Sequence, residues 1–127
     1  MIILLTFFDT ADVKGTASIY ESHITFNKAL LEYLASAYRV RVGADSDEGK
    51  IYVFLYDKDR ALNGELKESS LLPLSISKTY ARICSRGLID YICQIFKLDI
   101  PQKSFLRYKA YYDEVKRAIV IELKEEA

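Results

Sequence analysis

The feature that most constrains the fold is an order of apolar and charged residues that occurs in both halves of the chain. The segment LLEYL at 30–34 matches LIDYI at 88–92. The residues that follow align without a gap, pairing Arg39 with Arg107, Arg41 with Lys109, Asp45 with Asp113, Ile51 with Ile119, Val53 with Ile121 and Leu55 with Leu123. Each half is therefore predicted to form a strand, a helix and a hairpin. Two interpretations stay open: a duplication whose halves pack as a pseudo-symmetric pair, or apolar spacing common to any helix followed by a hairpin.

A strict alternation of side chains marks the hairpin of the first half. Tyr38, Val40, Val42 and Ala44 alternate with Arg39, Arg41 and Gly43. This period of two predicts a strand with one buried and one solvent-exposed face. The turn sequence DSDEG and the apolar segment IYVFLY then predict the return strand.

Turn residues and apolar spacing predict the other elements. We expect a buried strand at Ile2–Phe8 that forms a hairpin with Thr16–Glu21, and a short β piece at 24–26. Helices are expected at 28–37, capped by Asn27, and at Arg86–Lys97, capped by Ser85. Further expectations are a connecting loop at Asp57–Ser70, an edge strand at Leu71–Ser77, a hairpin at Phe105–Tyr112 and Arg117–Leu123, and a solvated KEEA tail.

Length and composition favour one compact unit. The chain has 127 residues, of which 50% are hydrophobic, so a core can form without disulfide bonds or structural metal ions. We predict a single domain over 1–127, with matched halves at 16–57 and 74–124. The expected class is α+β, a mostly antiparallel sheet or small barrel with two short helices and a pseudo-twofold repeat of strand, helix and hairpin.

Charge and cysteine content indicate a cytoplasmic protein. The 18 basic and 18 acidic residues cancel, which counts against a strongly basic nucleic-acid binder. The apolar start MIILLTFF is too short to cross a membrane. Cys84 and Cys93 match no zinc spacing, and we expect both to be buried, reduced thiols.

No motif indicates an enzyme. His23 could in principle activate Cys84 or Cys93, but nothing in the local sequence favours that pairing, and a loop histidine is the simpler interpretation. The acidic segment DSDEG lacks the ligand spacing of a calcium loop, so we interpret it as a hairpin turn. Because the five glycines are not clustered, no phosphate-binding loop is expected. We therefore predict no catalytic residues, no metal and no small-molecule cofactor.

The stretch ITFNKALLEYLASAYRVRVG, from Ile24 onward, resembles the AbrB/MazE-type swapped-hairpin domain. Its Lys28 matches the lysine of the family's IPKxLRExLG helix motif, and Leu31 and Leu34 match the helix leucines. The resemblance extends over about 35 residues and recurs faintly in the second half. It implies DNA binding by a transcriptional regulator or an antitoxin, through basic residues on paired hairpins.

Basic residues supply the candidate DNA contacts because phosphate binding needs cations. The candidates are Lys28, Arg39, Arg41, Arg82, Arg86, Arg107 and Lys109. Solvated strand faces with cross-strand ion pairs are the alternative interpretation of these residues. The alternative function is a protein-interaction or assembly module of phage or mobile-element origin, since tyrosines and apolar hairpins suit an oligomer interface.

Overall fold

The computed structural model describes residues 14–64 and 66–126, and nine of its strands form a single sheet. The strands are β1 Thr16–Ile19, β2 His23–Phe26, β3 Arg39–Asp45, β4 Lys50–Tyr56, β5 Leu72–Pro73, β6 Ser75–Ile76, β7 Ala81–Cys84, β8 Leu106–Asp113 and β9 Ala118–Glu126. The helices are α1 Leu31–Leu34, α2 Lys58–Leu62 and α3 Arg86–Phe96, with 3-10 turns at Lys28–Leu30 and Glu68–Ser70. Every strand pairing is antiparallel, as expected for this α+β class.

The sheet curves into a nearly closed barrel. Its strand order is β5-β3-β4-β9-β8-β1-β2-β7-β6. The two outermost strands are separated only by Leu74, and they pair with β3 and β7 respectively. The segment predicted as one edge strand at Leu71–Ser77 is thus a broken strand that bridges the two sides of the barrel.

Alternating side chains fill the barrel. Ile24 and Phe26 on β2 and Ile51 and Val53 on β4 are fully buried, and they share one core with residues from α1 and α3. The intervening side chains of each strand point outward, because successive residues of a strand face opposite sides. Tyr108 is buried while Lys109 beside it is exposed, as the alternation predicts.

The second predicted helix is confirmed almost to the residue. Ser85 Oγ accepts a hydrogen bond from Leu88 N at 3.1 Å and so caps α3. Leu88, Ile89 and Ile92 form its buried face. Lys97 takes a left-handed conformation after the last turn and ends the helix ahead of Pro101.

The first predicted helix is shorter than expected, and Asn27 stands at its N-cap position without a side-chain capping bond. Only a 3-10 turn and α1 lie in the segment 28–37. The side chain of Asn27 makes no capping bond. Instead, Asn27 Oδ1 accepts from Thr16 N at 3.0 Å and its Nδ2 donates to Lys14 O at 2.9 Å, so it ties the start of β1 to the end of β2.

The segment Asp57–Ser70 contains helix where a loop was predicted. Asp57 Oδ1 accepts from Arg60 N at 2.8 Å and caps α2. The buried face of α2 is small, since only Ala61 is buried. The charged composition of this segment masked the short helix because it gives no apolar periodicity.

Three smaller predictions need correction or lie outside the described part. β1 forms its hairpin with β2, and the predicted strand at Ile2–Phe8 is outside the described residues. The tail at 124–127 was predicted to be solvated; Lys124 is exposed, and β9 runs to Glu126. Cys84 was expected to be buried but is exposed, because it lies on the outer face of β7; Cys93 is half-buried.

Several backbone contacts occur twice, once in each matched half. Both the β1–β2 and β6–β7 hairpins close with an N–H···O bond of 2.8 Å, Tyr20 N to His23 O and Ser77 N to Tyr80 O. The hairpin turns after β3 and β8 are also alike, since Asp45 Oδ1 and Asp113 Oδ1 each accept from backbone amides two and three residues ahead.

The two long hairpins are also joined by reciprocal bonds. Leu55 N donates to Arg117 O at 3.2 Å, and Leu123 N donates to Gly49 O at 2.9 Å. In the sequence alignment of the halves Leu55 matches Leu123, and Gly49 and Arg117 occupy the same place after their turns. Each bond is therefore the counterpart of the other.

Candidate functional site

A ladder of polar side chains crosses the outer face of the barrel. Cross-strand pairs connect Arg107 on β8 to Ser18 on β1, Ser18 to Thr25 on β2, and Thr25 to Arg82 on β7. Paired residues of antiparallel strands point to the same side of a sheet. We call these four residues the arginine row.

The two arginines of the row are held over aromatic rings. The Arg107 guanidinium carbon lies 4.9 Å from the ring centre of Phe105, and its Nε donates to Ser18 Oγ at 3.3 Å. The Arg82 guanidinium carbon lies 5.2 Å from the ring centre of Tyr80. Cation–π contacts of this kind orient a guanidinium while leaving its hydrogen-bond donors available.

No carboxylate neutralises the row within the described residues. Neither Arg82 nor Arg107 forms a salt bridge there. Thr25 Oγ1 and Arg82 Nε are buried without a hydrogen-bond partner in that part of the chain. An unsatisfied buried polar atom costs about 1–3 kcal/mol.

His23 lies beside the arginine row, and burial and the charge of Arg82 affect its pKa. Its ring stacks on Tyr20 with centroids 4.4 Å apart, and Tyr20 in turn contacts Phe105 at 5.0 Å. Burial lowers the pKa of His23 below its ordinary value of 6.5, and the positive charge of Arg82 lowers this pKa further.

The structure places five of the seven candidate residues on outward-facing strand positions. Arg107 and Arg82 lie in the row, and Lys109 lies two residues further along β8. Arg39 pairs with Pro73 on β5. The next strand along the chain, β6, carries Ser75, which pairs with Arg82. Arg41 follows on the same face of β3. These five residues therefore lie on outward-facing positions of β3, β7 and β8.

The remaining two candidates lie away from one another. Lys28 follows the end of β2, and Arg86 follows the end of β7. Since β2 and β7 are antiparallel partners, these ends are on opposite sides of the strand pair. The structure therefore does not bring Lys28 and Arg86 together.

Sequence reasoning missed Ser18 and Thr25, which separate the two arginines. It considered His23 as a partner of Cys84 and found no local reason for the pairing, whereas the structure makes these two residues cross-strand partners on β2 and β7. Ser18 is 7% exposed and unremarkable in sequence. Only the register of β1 between β2 and β8 reveals its position, and that register depends on residues distant in the chain. His23 Nδ1 contacts Ser22 Oγ at 3.0 Å.

Comparisons with known proteins found no relative. A scan against protein-family models, a search of curated proteins and a search of solved structures each returned no match. No helix among the described residues is long and apolar enough to cross a membrane. Within the same residues, no group of three or more His, Cys, Asp or Glu side chains is placed to hold a metal ion.

Proposed function

We propose that the protein is a non-catalytic DNA-binding module of a transcriptional regulator or antitoxin-like protein, and that its arginine row contacts phosphates. The observation that carries the proposal is the ladder Arg107–Ser18–Thr25–Arg82, two guanidinium groups separated by two hydroxyls and unpaired with any described carboxylate. Guanidinium and hydroxyl groups are common donors to phosphate oxygens. The neutral net charge is compatible with this role because a local basic face can coexist with an acidic remainder.

The matched contacts of the two halves support a second part of the proposal. We infer that the chain is a pseudo-dimer, with halves at 16–57 and 74–124 related by a pseudo-twofold axis. Under this relation Thr25 and Arg82, which are cross-strand partners, occupy equivalent positions. Arg39 then corresponds to Arg107, and each has an aromatic ring beneath its guanidinium, Tyr38 at 4.2 Å and Phe105 at 4.9 Å.

A pseudo-twofold protein suits duplex DNA, whose two backbones are themselves related by twofold axes. The resemblance of the segment from Ile24 to the AbrB/MazE-type domain favours the same function. It points to basic residues on paired hairpins, where Arg39 and Arg41 lie.

The experiment that tests the proposal measures binding of a fluorescently labelled mixed-sequence duplex by anisotropy at low salt. The variant Arg82→Gln/Arg107→Gln removes two charges from the row. The control Lys58→Gln/Lys97→Gln removes two charges from α2 and the end of α3, outside the row. We expect the row variant to lose roughly tenfold or more in affinity, and the control to change little. Equal losses, or no binding by the unaltered protein, would refute the proposal.

An assembly role is the second candidate, favoured by aromatic residues on another part of the outer face. Tyr52 on β4 and Tyr111 on β8 flank Val120 on β9 as cross-strand neighbours, and Phe54 lies 6.1 Å from Tyr52 between ring centres. Tyrosines are enriched at protein interfaces. Sedimentation equilibrium distinguishes this role, since self-association that is lost in Tyr52→Ser/Tyr111→Ser would support it.

A further inference from the structure

A cleft at one end of the barrel has a composition suited to a small phosphate ester. Its main cavity of about 160 Å³ lies between α1, α2, the end of β4 and the β8–β9 turn, and it adjoins a smaller one of about 40 Å³. The two cavities share Leu55, Tyr56, Arg60 and Arg117. A water molecule takes about 30 Å³ in the liquid, so the main cavity has room for a phosphate group and part of its ester.

Cations from separate elements converge on this cleft. Arg60 comes from α2, and its guanidinium carbon lies 4.9 Å from the ring centre of Tyr56. Arg117 comes from the β8–β9 turn. Lys116 lines the smaller cavity, and its Nζ lies 3.5 Å from Tyr52 Oη. Asp57 is the one acid among the described lining residues, and its Oδ1 already accepts the backbone N–H of Arg60.

Aromatic rings form another wall of the main cavity. Tyr33 and Tyr112 stack with centroids 4.4 Å apart and planes at 11°. A hydrogen bond to Glu32 and the negative charge of Glu32 raise the pKa of Tyr33, and burial and Glu114 raise it further. The stacked tyrosines offer an aromatic surface to a ring carried by the ester.

Arg117 has a backbone conformation that favours glycine. Its φ is +52°, in the left-handed region. The matching turn in the first half has Gly49 at φ +68°. The chain therefore has an arginine at a place where its own other half shows that glycine fits.

The cleft is specific to one half of the molecule. In the sequence alignment of the halves, Ala44 matches Tyr112 and Gly49 matches Arg117. The corresponding place in the other half therefore lacks both the second tyrosine and the arginine. The hairpin shared by the two halves therefore does not by itself require Tyr112 and Arg117 at the cleft.

We propose that this cleft binds a phosphate monoester of a small aromatic molecule, with Arg60 and Arg117 on the phosphate and Tyr33 beside the ring. Bidentate guanidinium groups match phosphate geometry, and two such groups from different elements fix its position. The arginine row on the outer face of β8, β1, β2 and β7 takes no part in this site. The proposal is therefore independent of DNA binding.

Isothermal titration with adenosine monophosphate, inorganic phosphate and adenosine tests the proposal on the full chain. We expect adenosine monophosphate to bind most tightly, inorganic phosphate to bind more weakly and adenosine to show no binding. Inorganic phosphate binding as tightly as the ester would identify free phosphate as the ligand and overturn the ester assignment. Adenosine binding as tightly as its phosphate would overturn the role of the cations.

Variants separate the cleft from the fold and from the DNA site. Arg117→Gly removes the guanidinium and leaves a residue suited to the positive φ, so the protein should fold normally and bind adenosine monophosphate roughly tenfold more weakly. Arg60→Gln should act alike, because Arg60 is exposed and its backbone bond to Asp57 persists. Arg82→Gln/Arg107→Gln should bind the nucleotide normally. Unchanged affinity in both cleft variants would overturn the proposal.

Discussion

At the residue scale, Gly49 is distinguished by its backbone conformation and Arg82 by a buried side-chain nitrogen. Gly49 ends the β3–β4 turn in a left-handed conformation that other residues adopt at a cost. Arg82 keeps a buried Nε without a described hydrogen-bond partner and lies close enough to His23 to lower its pKa. Both positions are poorly explained by packing alone, and each leads to a measurable consequence.

Gly49→Ala should lower the free energy of unfolding by about 1–2 kcal/mol, because alanine is strained at φ +68°. A Cβ there would lie 3.0 Å from the Lys124 side chain, which is flexible and can move aside. Gly43→Ala is the matched control on β3, where the new methyl group would meet Phe54 at 3.8 Å, an ordinary contact. Denaturant unfolding measures both variants, and an equal effect of the two would contradict the strain argument.

Stability should decline as pH falls from 7 through 6.5 toward the lowered native pKa of His23. In that window the unfolded chain takes up a proton on this histidine while the folded protein does not, so protonation favours unfolding. His23 is the only histidine in the sequence, so His23→Gln should flatten this part of the pH profile. A slope that persists in the variant would show that another group is responsible.

At the element scale, α3 is the helix whose formation is best explained. Its cap is a single hydroxyl, and its buried face is Leu88, Ile89 and Ile92. Ser85→Ala should therefore destabilise the protein by about 1 kcal/mol through loss of the bond to Leu88 N. Ser70→Ala is a suitable control because Ser70 is only half-buried and donates to a backbone carbonyl in a short 3-10 turn. Equal losses in urea unfolding would argue against the capping role.

The elements also show what sequence reasoning can and cannot reach. Alternation over Tyr38–Ala44 sets the face of each side chain, so the long hairpins were predictable, and Ser85 marked the start of α3. The closure by Leu72–Ile76 was not predictable, because its pairing partners lie far away in the chain and the strand pieces are very short. Arg82 and Arg107 were predicted as candidates, but their juxtaposition with Ser18 and Thr25 depends on the same distant pairings.

At the scale of the whole molecule, the pairing of β4 with β9 is one of the places where the matched halves meet. Ile51 faces Ile121 and Val53 faces Ile119, so residues that match in the sequence alignment exchange places across this pairing. Ile51→Val and Ile119→Val should therefore cost similar amounts, about 0.5–1.5 kcal/mol each, since both side chains are fully buried. Ile76→Val, on a side chain that is 43% exposed, should cost much less. Clearly unequal losses at Ile51 and Ile119 would contradict the pseudo-dimer.

The most direct test of the central claim is the salt dependence of duplex DNA binding. Each phosphate neutralised by the protein contributes about −0.9 to the slope of log affinity against log salt concentration. If Arg82 and Arg107 both contact phosphates, Arg82→Gln/Arg107→Gln should make the slope shallower by about 1.8. Lys58→Gln/Lys97→Gln should leave it unchanged. An unaltered slope in the row variant, or no binding at low salt, would contradict phosphate recognition by the arginine row.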